Sequence, residues 1–502
     1  MALLRGVTPG TPIAKMKGMD MRQNRTFPVI SILLAFGVAA CGTGEGPSLD
    51  ESVAAAQAAV TDEVLAELAS IPGLTVVSEN PSNIPGTRFF VLKFEQPVDH
   101  HDPDGPRFTQ KIALLHRSFD APTSFLTSGY AVNTRRVIEG EVAAMLQGNQ
   151  IYVEHRYYGE SVPPGPTYEH LDIEQAAGDH HRIAQAFRPV YSGRWISGAS
   201  SKGGMTSIYH RYYHPDDVDG TVAYVSPSTY SPSDPRYVTF IRQVGDPVMR
   251  ARLIAYQRAL LARREQIVPM MVAEMAEWGL TYDIVGADRA FEFGVVEASF
   301  FYWQFCPVDF CEPHLPAPDA SDEELLHFFV DYLGAPFNYD DETINVYYGP
   351  YFYQSATQLG HPRFDEAPLM DLLRYPGEDQ AKNLTPVPVT IPFDYGLMAH
   401  IEARTWVRGE RMLFIYGEND PWSTNPFEAR AKNDAFRYIV PDGHHGVDIA
   451  DLPEDERLHA MSRIFDWADV PFDPSAARMA APLAPEVEED EGPGARFRLP
   501  LR

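Results

Sequence analysis

The chain has 502 residues, long enough to bury a large core and to form two or three domain-sized units. Hydrophobic residues make up 44% and charged residues 22%, the composition of globular protein rather than of disorder. Asp and Glu number 69 against 41 Lys and Arg, a net charge of −28 that excludes the basic surface nucleic-acid binding requires.

Arg22 and Arg25 precede an apolar run, Phe27 to Ala40, that ends at Cys41. The run is too short for a membrane-spanning helix and has the layout of a secretory signal, with Met19 or Met21 as the natural start. Val38-Ala-Ala-Cys41 resembles a bacterial lipobox, in which the cysteine is lipidated and becomes the mature N-terminus. A plain small-residue cleavage site beside an incidental cysteine is the alternative. Both predict export to the periplasm or cell envelope, and the first adds membrane attachment through Cys41.

Residues 42–85 read as a linker followed by an amphipathic helix over Glu51–Ala69. Residues 86–230 carry the first part of a sheet-based core. Arg88 to His100 and Phe108 to His116 read as paired strands around the turn-rich His101-Asp-Pro-Asp-Gly-Pro106. Thr123–Val132 and Gln150–His155 are apolar runs suited to a parallel sheet covered on both faces. A helix over Ile173–Phe187 leads to Trp195-Ile-Ser-Gly-Ala-Ser-Ser201-Lys-Gly-Gly204.

That last segment passes from strand-like to small residues and then to a helix-prone stretch. A strand-to-helix turn of this kind raises a serine hydroxyl above the sheet, as the nucleophile elbow of an α/β-hydrolase does. The Gly-x-Ser-x-Gly pattern is incomplete, because Ala199 stands where a glycine is expected and Lys202 would break the pattern centred on Ser200. Ser201 is the better nucleophile, with Gly203 and Gly204 closely after it. The backbone N–H of Lys202 is the expected first oxyanion donor, and the loop at Gly129-Tyr130, through Tyr130, the expected second. The Lys202 side chain reads as structural or as paired with an acid.

Gly220 to Ser226 is the next buried strand, after which the alternation stops. Residues 231–395 read as a helical, aromatic cap inserted between two core strands, above the strand ends where α/β ligands bind. Val248–Gly279 is helical with a break expected at Pro269, and Ser321-Asp-Glu-Glu324 is a capping box. Cys306 and Cys311 are expected to form a local disulfide in an exported protein, with no histidine pattern to suggest zinc.

Core character resumes over 396–473. Arg411–Gly417 is a strand followed by Glu418-Asn-Asp420-Pro, and Phe436–Val440 a strand followed by Gly443-His-His-Gly446. Asp420 is preferred to Glu418 as the histidine-orienting acid, because Asp-Pro fixes the turn. His445, next to Gly446, is preferred to His444 as the base. Ser201, Asp420 and His445 then follow the α/β-hydrolase order at the correct strand ends. The tail, 474–502, is acidic and rich in Pro and Ala, and reads as disordered.

Ser201-Lys-Gly-Gly-Met-Thr and Val218-Asp-Gly-Thr-Val-Ala-Tyr-Val-Ser-Pro227 resemble the secreted bacterial tripeptidyl and prolyl aminopeptidases, the PS-10-type serine peptidases. Phe94-Glu-Gln-Pro-Val-Asp-His100 and Glu154-His-Arg-Tyr-Tyr-Gly-Glu-Ser161 are also similar to the related Pro-X carboxypeptidases and dipeptidyl peptidase II. The resemblance implies an α/β-hydrolase fold with a mostly parallel sheet and a helical cap. It also implies release of short N-terminal peptides with a preference for proline, and acids of the cap that read the free amino terminus. Val296-Glu297-Ala-Ser-Phe-Phe-Tyr-Trp303 is the closest match, with Glu297 on the substrate ammonium and Phe301, Tyr302 or Trp303 as an apolar wall.

Peptides are the expected partners, and no metal or organic cofactor is required for the acyl-enzyme route. A carboxypeptidase or esterase on the same scaffold is the alternative, since Arg250, Arg252, Arg258, Arg263 and Arg264 offer cations to a substrate carboxylate. An inactive binding lipoprotein is a second.

Overall fold

The computed structural model describes residues 63–165, 167–472 and 474. The lipobox expectation at Cys41, the signal segment, most of the linker and nearly all of the tail lie outside these residues.

Residues 63–70 form a helix, α1, whose Val64 and Leu68 pack against the apolar side chains of the first strands. Nine strands then make one sheet in the order β1-β2-β3-β5-β4-β6-β7-β8-β9. They are β1 (Leu74–Asn80), β2 (Arg88–Pro97), β3 (Arg107–His116), β4 (Thr123–Thr127), β5 (Asn149–Val153), β6 (Trp195–Ser200), β7 (Gly220–Tyr224), β8 (Met412–Gly417) and β9 (Ala435–Val440). The pairs β1–β2, β2–β3 and β3–β5 are antiparallel. From β5 across to β9 every pair is parallel.

Burial follows this division. Strands β4, β5, β7 and β8 are buried at every residue, as strands of a sheet covered by helices on both faces must be. Strand β1 alternates between more and less exposed positions along an outer edge. It lies within 42–85, which the sequence suggested to be linker and helix. Its short alternating pattern, Leu74-Thr-Val-Val-Ser-Glu-Asn80, is completed only by pairing with β2. Strand β4 is likewise shorter than its apolar run, because the chain turns at Ser128 to open a loop toward the site.

The helices of the sheet layers are α2 (Glu141–Leu146), α3 (Ile173–Phe187) and α4 (Ser201–Tyr213). Strand order reverses between β5 and β6 around β4, and ligands of open α/β sheets bind at such a reversal. With a serine at the turn from β6 into α4, this is the α/β-hydrolase fold.

Between β7 and β8 the chain forms α5 (Arg236–Ile241), α6 (Pro247–Ala262), α7 (Arg264–Glu277), α8 (Ala287–Phe305), α9 (Val308–Cys311), α10 (Asp322–His327), α11 (Gly349–Gln354) and α12 (Leu397–Arg408). The break after α6 falls at Arg263, not at Pro269, which sits inside α7. The capping box at Ser321 and Glu324 is present. Three π-helical turns interrupt the later part: Phe328–Tyr332, Thr343–Tyr348 and Ser355–Leu359. This insertion has an apolar core of its own, drawn from residues 244–384. Helix α12 instead packs Met398 and Ile401 against Met205 and Ile208 of α4, so it belongs with the sheet. A final helix, α13 (Glu454–Trp467), covers the β8–β9 side.

Candidate active site

Ser201 opens α4 with φ at 53°, in the left-handed region that L-residues other than glycine seldom enter. The turn is tight. A Cβ on Gly204 would lie 2.1 Å from Ser226 Oγ and 2.6 Å from the Ala199 carbonyl, so the first turn of α4 can press onto β6 and β7 only with glycine there. Ala199, where glycine was expected, is accommodated as a buried residue.

The loops after β8 and β9 bring two more groups to this serine. His445 Nε2 lies 2.9 Å from Ser201 Oγ, and His445 Nδ1 lies 2.8 Å from Asp420 Oδ2. Asp420 is wholly buried and also accepts from the Trp422 N–H at 3.0 Å and the Ser423 hydroxyl at 3.3 Å. A carboxylate that can only accept fixes the proton on Nδ1, leaving Nε2 to receive one from the serine. His444 faces elsewhere, its Nδ1 accepting from the Gly446 N–H, and Glu418 accepts from the Asp442 N–H. The structure therefore joins Ser201, His445 and Asp420 in one chain and leaves both alternatives outside it. The backbone N–H of His445 donates to the Gln304 carbonyl of α8 at 3.0 Å, so the inserted helix holds the histidine loop.

The structure places the two expected oxyanion donors differently. Lys202 is the second residue of α4, a position for whose N–H helix geometry supplies no acceptor. The Tyr130 N–H, expected as the second donor, is committed to Ser128 Oγ at 2.9 Å within its own turn. The Lys202 side chain is buried, at 3% exposure, and its Nζ donates to the Gly129 carbonyl at 2.5 Å. It also lies 5.3 Å and 4.9 Å from the ring centroids of Tyr130 and Tyr158, which soften the desolvation of its charge. A Cβ on Gly129 would meet the Gly203 nitrogen at 2.7 Å. Lys202 thus clasps the loop after β4 against the serine turn.

A pocket of about 120 Å³ opens on Ser201, lined by Tyr130, Glu297, Phe300, Phe301, Phe305 and Tyr351 among others. Glu297 is buried and accepts from the Tyr339 hydroxyl at 2.5 Å. Burial, and then the carboxyl of Asp379 beside it, push the Glu297 carboxyl well above its ordinary range. Burial likewise raises Asp379 to about 7. Asp379 keeps some surface, yet both its carboxyl oxygens are buried, with the Glu297 carboxyl beside them and no other donor among the described residues. Two adjoining desolvated carboxyls with one hydroxyl between them suit a bound cation. Neither Asp379 nor Tyr339 was legible in sequence, for each sits in a polar loop with no periodicity to mark it.

Trp303 does not line this pocket. Along α8, Glu297, Phe300, Phe301, Gln304 and Phe305 recur at helical spacing and face Ser201, whereas Val296, Ser299 and Trp303 face a second cavity. Tyr302 is buried in the core of the insertion. The five arginines considered for a substrate carboxylate are otherwise engaged. Arg252 pairs with Glu312, Arg258 with Asp371, Arg263 with Asp322, and Arg264 with Asp288 and Glu292. Arg250 caps the carbonyls of Gln243, Val244 and Gly245. Cys306 and Cys311 are disulfide-bonded just past α8. One group of possible metal ligands occurs among the described residues, His181, His214 and Asp217. It lies at the far end of α4, roughly 20 Å of helix from Ser201. His181 and His210 both bond Asp217 there, and the imidazoles of His181 and His214 stack at 4.0 Å rather than converging on one point.

The chain belongs to the PS-10 peptidase S37 family, whose model matches residues 56–490. Prolyl tri/tetrapeptidyl aminopeptidase of Streptomyces mobaraensis is 39% identical over 460 residues, 89% of this chain and 93% of that protein. Lysosomal Pro-X carboxypeptidase of Mus musculus is 29% identical over 171 residues, 30% of this chain and 34% of that protein. Among solved structures, proline iminopeptidase of Mycobacterium smegmatis aligns with a TM-score of 0.36 at 13% identity, over 78% of this chain and 99% of that one.

Proposed function

We propose that this S37-family peptidase is an exported serine aminopeptidase that releases short N-terminal peptides, with proline favoured at the cleaved position, through an acyl-enzyme. The observation that carries the reading is the hydrogen-bonded chain Ser201–His445–Asp420 opening on a pocket whose acidic wall is Glu297 backed by Asp379. His445 takes the Ser201 proton as Oγ attacks the scissile carbonyl, and Asp420 stabilises the imidazolium. The Lys202 N–H at the start of α4 holds the developing oxyanion. His445 then protonates the leaving amine, and water repeats the sequence to free the N-terminal fragment.

Glu297 and Asp379 receive the substrate ammonium, which supplies donors to the Asp379 oxygens. The aromatic wall of Phe300, Phe301, Phe305 and Tyr351 suits a proline ring. The engagement of Arg250, Arg252, Arg258, Arg263 and Arg264 weighs against a carboxypeptidase. Export rests on the signal-like segment before Cys41 and agrees with a disulfide at Cys306–Cys311. Lipidation at Cys41 is part of the proposal, and retention of a Cys41→Ser variant in the membrane fraction would count against it.

A peptide-library digest read by mass spectrometry tests the function. Di- to tetrapeptides leaving from free amino ends, and none from N-acetylated peptides, is the expected result. Release of single C-terminal residues would overturn it. Glu297→Gln should lower the preference for free over acetylated ends, and an unchanged preference would remove Glu297 from the role.

A further inference from the structure

A second cavity, of about 180 Å³, lies between α6, α8 and the loop 363–368, and is larger than the one over Ser201. Roughly 150 Å³ holds a benzene ring, so one large apolar side chain fits. Leu253, Ile254, Val296 and Pro368 supply apolar walls, and Phe300 and Phe364 line both this cavity and the Ser201 pocket.

Its polar groups form an unbalanced set. Arg242 is held by Asp365 through two bonds of 2.7 Å, so these charges cancel. Arg250 places its Nη1 on carbonyls, and Gln257 and Ser299 bond each other, with the Gln257 amide on the Val295 and Val296 carbonyls. Two lining side chains remain whose polar groups have no partner at all among the described residues. The Trp303 indole N–H is buried, on a residue 3% exposed, with no acceptor among the described residues. The guanidinium of Arg363, exposed at the rim, makes no ion pair or hydrogen bond among them. A buried orphan donor on a lining residue and a cation at the rim, on a chain of charge −28, ask for an anionic acceptor attached to an apolar group.

We propose that this cavity binds the C-terminal residue of a peptide, its apolar side chain between α6 and α8 and its carboxylate on Arg363 and the Trp303 N–H. That the ligand is a peptide rests on the peptidase reading above. The carboxylate belongs either to the distal end of the substrate poised at Ser201, passing the shared wall of Phe300 and Phe364, or to a second peptide. In the first case the enzyme measures its substrates from both ends. In the second, a released fragment reports back to the site that produced it.

N-acetyl-phenylalanine is the probe, since its blocked amine cannot use Glu297. Calorimetric titration into full-length Ser201→Ala protein should show saturable binding, at least about tenfold tighter than for N-acetyl-phenylalaninamide. Arg363→Gln should erase that difference, and Trp303→Phe, which keeps the ring and removes the N–H, should reduce it. No binding, equal binding of acid and amide, or a difference unchanged in Arg363→Gln would overturn the proposal.

Kinetics of the active enzyme on free-acid and amidated peptides of increasing length then distinguish the two sources. An acid preference confined to particular lengths assigns the substrate's own end. An effect of added N-acetyl-phenylalanine on amidated substrates assigns a second molecule. Single-residue release from the carboxyl end would sink the aminopeptidase reading and leave this site standing.

Discussion

The sheet and the helical insertion solve different problems with different materials. Ser201, Asp420 and His445 sit one, three and five residues past the ends of β6, β8 and β9, and a buried sheet with fixed register determines where those loops begin. The insertion places its groups by the rotation of one helix, α8, and by loops broken with π-helical turns. Around α8 a step of one residue changes which cavity a side chain enters, as Trp303 shows. Chemistry is thus anchored to topology, and recognition to side-chain detail that single substitutions can redirect.

Substitutions on the sheet side should cost most. Ser201→Ala should lower kcat/KM by about 10⁴-fold or more, and Asp420→Asn by about 10⁴-fold, with thermal unfolding little changed. Fluorophosphonate labelling of wild type, lost in Ser201→Ala, checks the nucleophile; labelling that survives would place it elsewhere.

Lys202→Met should come next, at about 10²-fold in kcat with KM nearly constant, the scale of a misplaced oxyanion donor. A rise in KM alone would mean that Lys202 serves binding and not the serine turn.

The insertion should yield smaller effects that depend on pH. As pH falls through about 7, the Glu297–Asp379 pair takes up a proton and loses the charge an ammonium needs. KM for free-amine peptides should then rise by up to about tenfold per pH unit. Asp379→Asn should flatten that KM profile. The same raised carboxyl favours the folded state at low pH, a contribution lost as pH rises through about 7, so this variant should also weaken the fall in melting temperature over that range. Profiles identical to wild type would remove the pair from recognition.

The sequence made the sheet half legible for a physical reason. Buried parallel strands are contiguous apolar runs, and glycines beside Ser201 and the Asp420-Pro421 turn mark the places where the backbone must bend. Even there, β1 was missed, because a short alternating strand is stable only beside its partner. In the insertion the same reasoning found helices but not their facing. Glu297 came from the resemblance of the Val296–Trp303 segment to the family's cap, whereas Asp379 and Tyr339 reach it from loops over 40 residues away. Pro269 reads as a helix break in sequence, yet a proline in the opening turns of α7 leaves few hydrogen bonds to lose.

The bond from the His445 N–H to the Gln304 carbonyl limits how far this enzyme can be rearranged by exchanging parts. A grafted cap from a relative would bring its own pocket, but it must also end α8 with a carbonyl at the height of residue 304, or the base would lose its backbone anchor. The two halves can therefore diverge in side chains more freely than in the length of that helix. Chimeras joined with one residue added or removed before Cys306 should fold and bind, yet turn over poorly.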